Sequence, residues 1–212
     1  MPAWIDIESG KSLAERARAR RWARFLMAFP EIAEMRVLDL GGSPMSWHSA
    51  PVHPASVTTV NPTAFLSDDP RVCAVRGNPC ELPAQIHREH FDLVFSNSVL
   101  EHVGGHVPRQ RLADNVHAFA DRHWVQTPYR YFPSEPHWIL PGVQWLPYEA
   151  RVLLLRRWNR GRIGDYSRSA AEVQVNEIDL IGISQMRMYF PRSVIWYERF
   201  AGLVKSLVAI RH

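Results

Sequence analysis

The sequence predicts an α/β fold, a mainly parallel sheet wrapped by helices. Three observations carry that expectation. Short apolar, β-branched runs alternate with helical segments through residue 127. A pair of glycines, Gly41 and Gly42, directly follows the first such run. The last two apolar runs are joined too briefly for a helical crossover, which implies an antiparallel hairpin.

The elements follow in order. Ser12 and Glu15 form an S-x-x-E capping box, and Trp22, Phe25, Leu26 and Phe29 recur at helical spacing, so a helix is expected over residues 12–29. Strands are expected at 35–40, 56–60, 72–75 and 91–97, then a helix over 107–120 and a fifth strand at 123–127. Residues 128–150 carry five prolines and many aromatics, a composition typical of a functional cover. Three closing runs, 177–184, 193–200 and 203–212, read as strands. The expected organisation is one domain: an N-terminal helical segment (1–34), a core (35–127), a cover (128–175) and C-terminal strands (176–212).

Composition narrows the class. With 212 residues, 46% hydrophobic and 22% charged, the chain is long enough to bury about 70% of its unfolded surface without a covalent staple. Cys73 and Cys80 form no metal spacing and no disulfide framework, so both are expected as reduced thiols in a cytoplasmic protein. No apolar run reaches the length of a membrane span, and acids stand where an export signal would be basic and apolar. The net charge of +4 is concentrated in residues 15–24 and 151–162, where arginines take the outward side of amphipathic helices. Two other uses of these arginines compete with solvation: a phosphate track for RNA and docking to a membrane surface.

The turn lies within "VLDLGGSPMSWHS", residues 37–49. It matches neither G-x-G-x-x-G nor G-x-x-x-x-G-K-[ST], and no lysine is at hand for a phosphate, so it suits an uncharged or zwitterionic group better than a pyrophosphate. Taken with "VTTVN", "VRGNPCELP", "FDLVFSNSVLEHV" and "WVQTPYRYFP", in that order, the chain from Met35 onward resembles the class I S-adenosylmethionine-dependent methyltransferases. "EHVGG", "QTPYRYFPSEPHW" and "ERFAGLVKSLVAIR" resemble, within that class, small bacterial methyltransferases of glycan and polysaccharide pathways.

The resemblance implies a Rossmann-like, seven-stranded sheet and S-adenosylmethionine as cofactor. It places Asp39, Gly41, Gly42 and Ser43 against the methionine and ribose. Asn61 stands where the family carries the ribose-binding acid, and Asn78 where it carries an Asp near the adenine. An amide lacks the charge-assisted bonding of a carboxylate, which implies a weaker grip. Ser96 and Asn97 would end the fourth strand below the cofactor, with Val99 and Leu100 on its flat face.

Methyl transfer to a hydroxyl needs the acceptor held in line and its proton removed. The base candidates are His102, His106 and His137, with Glu101 and Glu135 as orienting partners. Glu135 and His137 are also close enough in sequence to share Mg²⁺, although two residues do not make a site. Tyr129, Tyr131 and Trp138 offer rings for stacking an acceptor. The Asn/Asp-Pro-Pro-aromatic motif of base- and amide-directed relatives is missing after the fourth strand, where the chain reads "SNSVLEH". The expected acceptor is therefore a hydroxyl of a saccharide or related natural product, with no nucleic acid bound and a homodimer reasonable. Asn61 and Asn78 also keep open a non-catalytic interaction module.

Overall fold

The computed structural model describes residues 13–135, 140–157 and 167–212. Helix α1 (Leu13–Ala28) leads to strand β1 (Arg36–Leu40), the short helix α2 (Pro44–His48) and strands β2 (Ser56–Asn61) and β3 (Val72–Arg76). Strand β4 (Leu93–Asn97), helix α3 (His106–Phe119) and strand β5 (Arg122–Pro128) complete the core. The cover holds a small ladder of β6 (Ser134–Glu135) and β7 (Leu140–Pro141), then helices α4 (Tyr148–Arg157) and α5 (Arg168–Asn176). Helix α6 (Ile183–Tyr189) and the hairpin β8 (Val194–Phe200) and β9 (Leu203–Arg211) close the chain.

Seven strands form one sheet in the order β3-β2-β1-β4-β5-β9-β8. The first five are parallel, and β9 runs antiparallel to both β5 and β8. The sheet reverses direction at β1, where β2 and β3 lie to one side and β4 to the other. In open α/β sheets this switch point opens a crevice at the carboxyl ends of the strands.

Both faces of the central strands are covered, so their side chains alternate between two apolar layers. Val37, Leu93, Phe95 and Trp124 pack with Phe25 of α1 and with Phe29 just after it. Leu38, Leu40, Val94 and Val125 pack with Leu112 and Val116 of α3 and with Met186 and Tyr189 of α6. Burying one such side chain contributes about 1.5–3 kcal/mol. The cover has its own small core: Val152 and Leu155 of α4 meet Ala171 and Val175 of α5.

Two expectations are corrected. The run at 177–184 forms no strand; Ile181 makes a single parallel bridge to Tyr129, and α6 begins at Ile183. Met186, Tyr189 and Phe190 are buried at helical spacing, and the Gln185 side chain accepts the Gly182 N–H at 3.0 Å, which starts the helix there. The C-terminal segment is thus a helix and a hairpin rather than strands throughout. Residues 62–71, which join β2 to β3, form no helix.

Candidate active site

The glycine turn is shaped by what lies beneath it. Gly41 sits at φ +87°, and a Cβ there would fall 2.4 Å from Val99 Cγ2. A Cβ on Gly42 would fall 1.8 Å from Asp39 Oδ2. The missing side chains therefore leave room for Val99 and Asp39 beneath the turn, while Gly41 and Gly42 each line a cavity. Asn61 braces the same turn: its Nδ2 donates to the carbonyls of Gly41 (2.7 Å) and Gly42 (3.2 Å), while its Oδ1 accepts the Thr63 N–H. Ser43 leads into α2, with its Oγ 3.5 Å from that of Ser46.

Asp39 is buried and accepts the Trp47 Nε1–H at 2.7 Å. Burial pushes its carboxyl up from 3.8 to about 7, although the bonds from Trp47 and the Gly42 backbone pull it down. Between those values the native state holds a proton that the unfolded chain has released. The stability Asp39 contributes is thus full at acid pH and falls as pH rises towards about 7. Asp39→Asn should remove this slope. Melting curves of both proteins from pH 4 to 8 should diverge with rising pH, and a constant gap would contradict the assignment.

A cleft of about 520 Å³ opens at the carboxyl ends of β1, β2 and β4, within the range of small-molecule sites. Pro62, Pro79, Val99 and Val103 supply apolar walls, and Asn61, Asn78 and His102 supply polar edges. This lining, apolar walls with amides at the border, fits a nucleoside. Asn78, on the cleft's border, accepts the Cys80 N–H on its Oδ1 at 2.9 Å. Ser96 is corrected as a ligand contact: it is fully buried, and its Oγ donates to the Leu40 carbonyl at 2.9 Å. Leu100 is likewise fully buried in the core, away from the slot.

A second cavity of about 320 Å³ lies across the turn, between α1, α2 and the end of β4. Asp39, Gly42, Ser43, Arg21, Trp22 and Asn97 line it. Arg21 donates to Asn97 Oδ1 (3.3 Å) and to Glu198 Oε2 (2.9 Å), and Ser206 Oγ donates to the same Glu198 oxygen. Sequence reasoning placed this arginine on the solvated face. The missed signal was spacing, since Arg21, Phe25 and Ala28 share one helical stripe. Arg16, Arg18 and Arg20 are exposed as expected.

Glu101 is buried and accepts the Thr127 Oγ1–H at 2.9 Å. His102, at the cleft, turns Nδ1 to the Glu177 carbonyl (3.1 Å) and Nε2 towards Glu101 Oε1 (4.0 Å). Both ring nitrogens thus face protein groups. His106 places Nδ1 3.0 Å from the Tyr189 hydroxyl, on the α3–α6 side. His123 is buried, with Nε2 2.7 Å from Ser193 Oγ, and burial first and His117 second hold its pKa down to about 3, so it is a neutral core residue. Tyr129 meets Tyr131 edge to face at 5.5 Å, and Tyr131 is exposed. His137 and Trp138 lie outside the described residues, as does the side chain of Glu135. Among the described residues no group of three or more His, Cys, Asp and Glu could hold a metal ion, so the Mg²⁺ suggestion gains nothing from them. No described helix is long and apolar enough to cross a membrane.

The strand order, the switch-point cleft and the terminal hairpin define the class I S-adenosylmethionine-dependent methyltransferase fold, and the chain has it. Solved structures agree. Magnesium protoporphyrin IX methyltransferase (ChlM) from Synechocystis PCC 6803 with bound SAM aligns at TM-score 0.53 and 10% identity, over 94% of this chain and 81% of that one. N-methyltransferase NodS from Bradyrhizobium japonicum WM9 aligns at TM-score 0.51 and 11% identity, over 93% and 97%. An S-adenosylmethionine-dependent methyltransferase from Mesorhizobium loti aligns at TM-score 0.54 and 16% identity, over 91% and 97%. No family model and no curated protein sequence matches the chain. Likeness at these identities defines the fold, and the chemistry must be argued from the site.

Proposed function

We propose that this protein transfers a methyl group from S-adenosylmethionine to a hydroxyl of a small acceptor, a saccharide or a related natural product. The observation that carries the reading is the slot at the switch point, whose apolar walls and amide edges suit a nucleoside. The bound cofactor supplies an electrophilic methyl on a sulfonium that leaves as a neutral thioether. Asn61 and Asn78 border the nucleoside, and the braced turn at Gly41 and Gly42 fixes the strand ends beside it. Holding acceptor and methyl in line is the protein's main contribution, worth about 7–11 kcal/mol in favourable cases.

The acceptor side rests on the cover. Exposed Tyr131 and Trp145 present ring faces of the kind that pack on sugars. His102 joins β4 to the segment that follows α5 through its bond to Glu177, so its role in this reading is to position the cover. His137 remains the base that the sequence proposes from the cover itself.

Calorimetric titration with S-adenosylhomocysteine should show saturable binding of one equivalent. Val103→Trp fills the slot from a partly exposed position, so it should weaken that binding at least about 10-fold, the cost of roughly 1.4 kcal/mol. An unchanged melting temperature would separate this effect from unfolding. Binding that ignores the tryptophan would remove the slot from the proposal.

A further inference from the structure

A nucleoside offers a protein two kinds of handle, a flat base and a sugar with neighbouring hydroxyls. Gripping the hydroxyls takes acceptors that the protein has not already paired, and a carboxylate serves best because it is charged and has two oxygens. Among the described residues that line the slot, the buried and half-buried acceptors are already in use.

Asn61 ends β2 and borders the slot. Its Nδ2 donates to the Gly41 and Gly42 carbonyls, and its Oδ1 takes the Thr63 N–H. These bonds also fix which way the amide points. A flipped amide would set its oxygen against two carbonyls and its NH₂ against an N–H. The backbone beside it is engaged too. The Asn61 carbonyl accepts the Gly77 N–H at 2.9 Å, the Gly41 N–H goes to Val60, and Pro62 has no N–H to give. Around the rest of the border, Asn78 Oδ1 holds the Cys80 N–H, Ser98 Oγ donates to Gln126 Oε1 at 3.0 Å, and His102 Nδ1 meets the Glu177 carbonyl. The carboxylate on this border is Glu81, which is exposed and paired with Arg111. So placed in water, it holds little back for a sugar.

We propose that the slot selects its nucleoside by the base and not by the sugar hydroxyls, with Asn61 a positioning residue that acts on the cofactor only through the turn it holds. The inference rests on the methyltransferase reading above. Two roles for Asn61 give opposite expectations. A weak stand-in for a hydroxyl-binding acid is improved by Asn61→Asp. A brace is damaged by it, because a carboxylate oxygen would then face the Gly41 and Gly42 carbonyls where the amide now donates. What the slot's walls offer a nucleoside is apolar contact, and a flat base uses that contact more fully than a sugar does. Adenosyl thioethers that lack a sugar hydroxyl are therefore ligands of the same slot.

Calorimetric titration of the wild-type protein with S-adenosylhomocysteine and with its 2′-deoxy and 3′-deoxy analogues tests this. All should bind within about 3-fold of one another, whereas hydroxyls held by a charged acceptor would make a deoxy analogue weaker by about 10-fold or more. A wild-type preference of that larger size overturns the inference and leaves the cofactor reading standing. Asn61→Asp should bind S-adenosylhomocysteine at least about 10-fold more weakly at a temperature where its melting curve shows it folded. It should keep the near-equal ranking of the analogues, which loss of a sugar contact would change. Tighter binding by Asn61→Asp also overturns the inference, and if that variant does not fold, the wild-type comparison decides alone. Failure of S-adenosylhomocysteine to bind the wild-type protein overturns the methyltransferase reading and this inference with it.

Discussion

Gly42→Ala is expected to lower the melting temperature by about 6–12 °C, the equivalent of about 3 kcal/mol in a chain of this size. The added methyl would lie 1.8 Å from one oxygen of Asp39 and 2.5 Å from the other. Neither the turn nor the carboxyl can yield cheaply. The turn is held by the Gly41 N–H on the Val60 carbonyl (2.8 Å) and by Asn61 on both glycine carbonyls. The carboxyl is held by Trp47, itself fully buried between α1 and the sheet. S-adenosylhomocysteine binding should fall with stability, because the cleft and the second cavity share this turn. Calorimetric melting checks the first effect and titration at a temperature where the variant is folded checks the second. A wild-type melting temperature would mean that the turn is looser than its packing shows.

The second large effect is expected at Arg109, where Arg109→Met should cost about 3 kcal/mol in urea denaturation. Arg109 lies on α3 and is only 2% exposed. Its Nε donates to the Leu100 carbonyl at 3.1 Å, and one terminal nitrogen reaches both the carbonyl and the carboxylate of Asp179. Methionine would fill much of the volume and leave two carbonyls without this donor. The Asp179 carboxylate is partly exposed and keeps Arg130, at 3.2 Å, so the loss comes mostly from the carbonyls. The Asp179 N–H donates to the Glu101 carbonyl, and this segment carries the Glu177 carbonyl that His102 meets. Loosening it should therefore also disturb the cover. Arg111→Ala is the control: its pair with Glu81 is exposed on both sides and contributes little.

Much of the fold was legible in the sequence because its signals are local. The parallel strands fall within two residues of the β-branched and apolar runs that marked them, and α1 follows its aromatic spacing. The closing hairpin was legible from its short connection. The run at 177–184 misled because an apolar stretch of that length fits a strand or the approach to a buried helix equally well, and only the packing of Met186 and Tyr189 separates the two.

The site was legible in outline only. The positions of Gly41, Asn61, Asn78 and His102 around one cleft follow from strand ends, and the sequence marks those ends. What each polar group does depends on partners far away in the chain. Ser96 turns inward to Leu40, 56 residues earlier, and Arg21 turns inward to Glu198, 177 residues later. Hydrophobic periodicity is written along the chain, so the sequence by itself determined the α/β class, the order of the strands in the chain and the glycine turn. Hydrogen-bond partners and burial depend on which segments meet, so only the tertiary structure decided that the glycines leave room for Asp39 and Val99 and that Arg21 turns inward to Glu198 and Asn97.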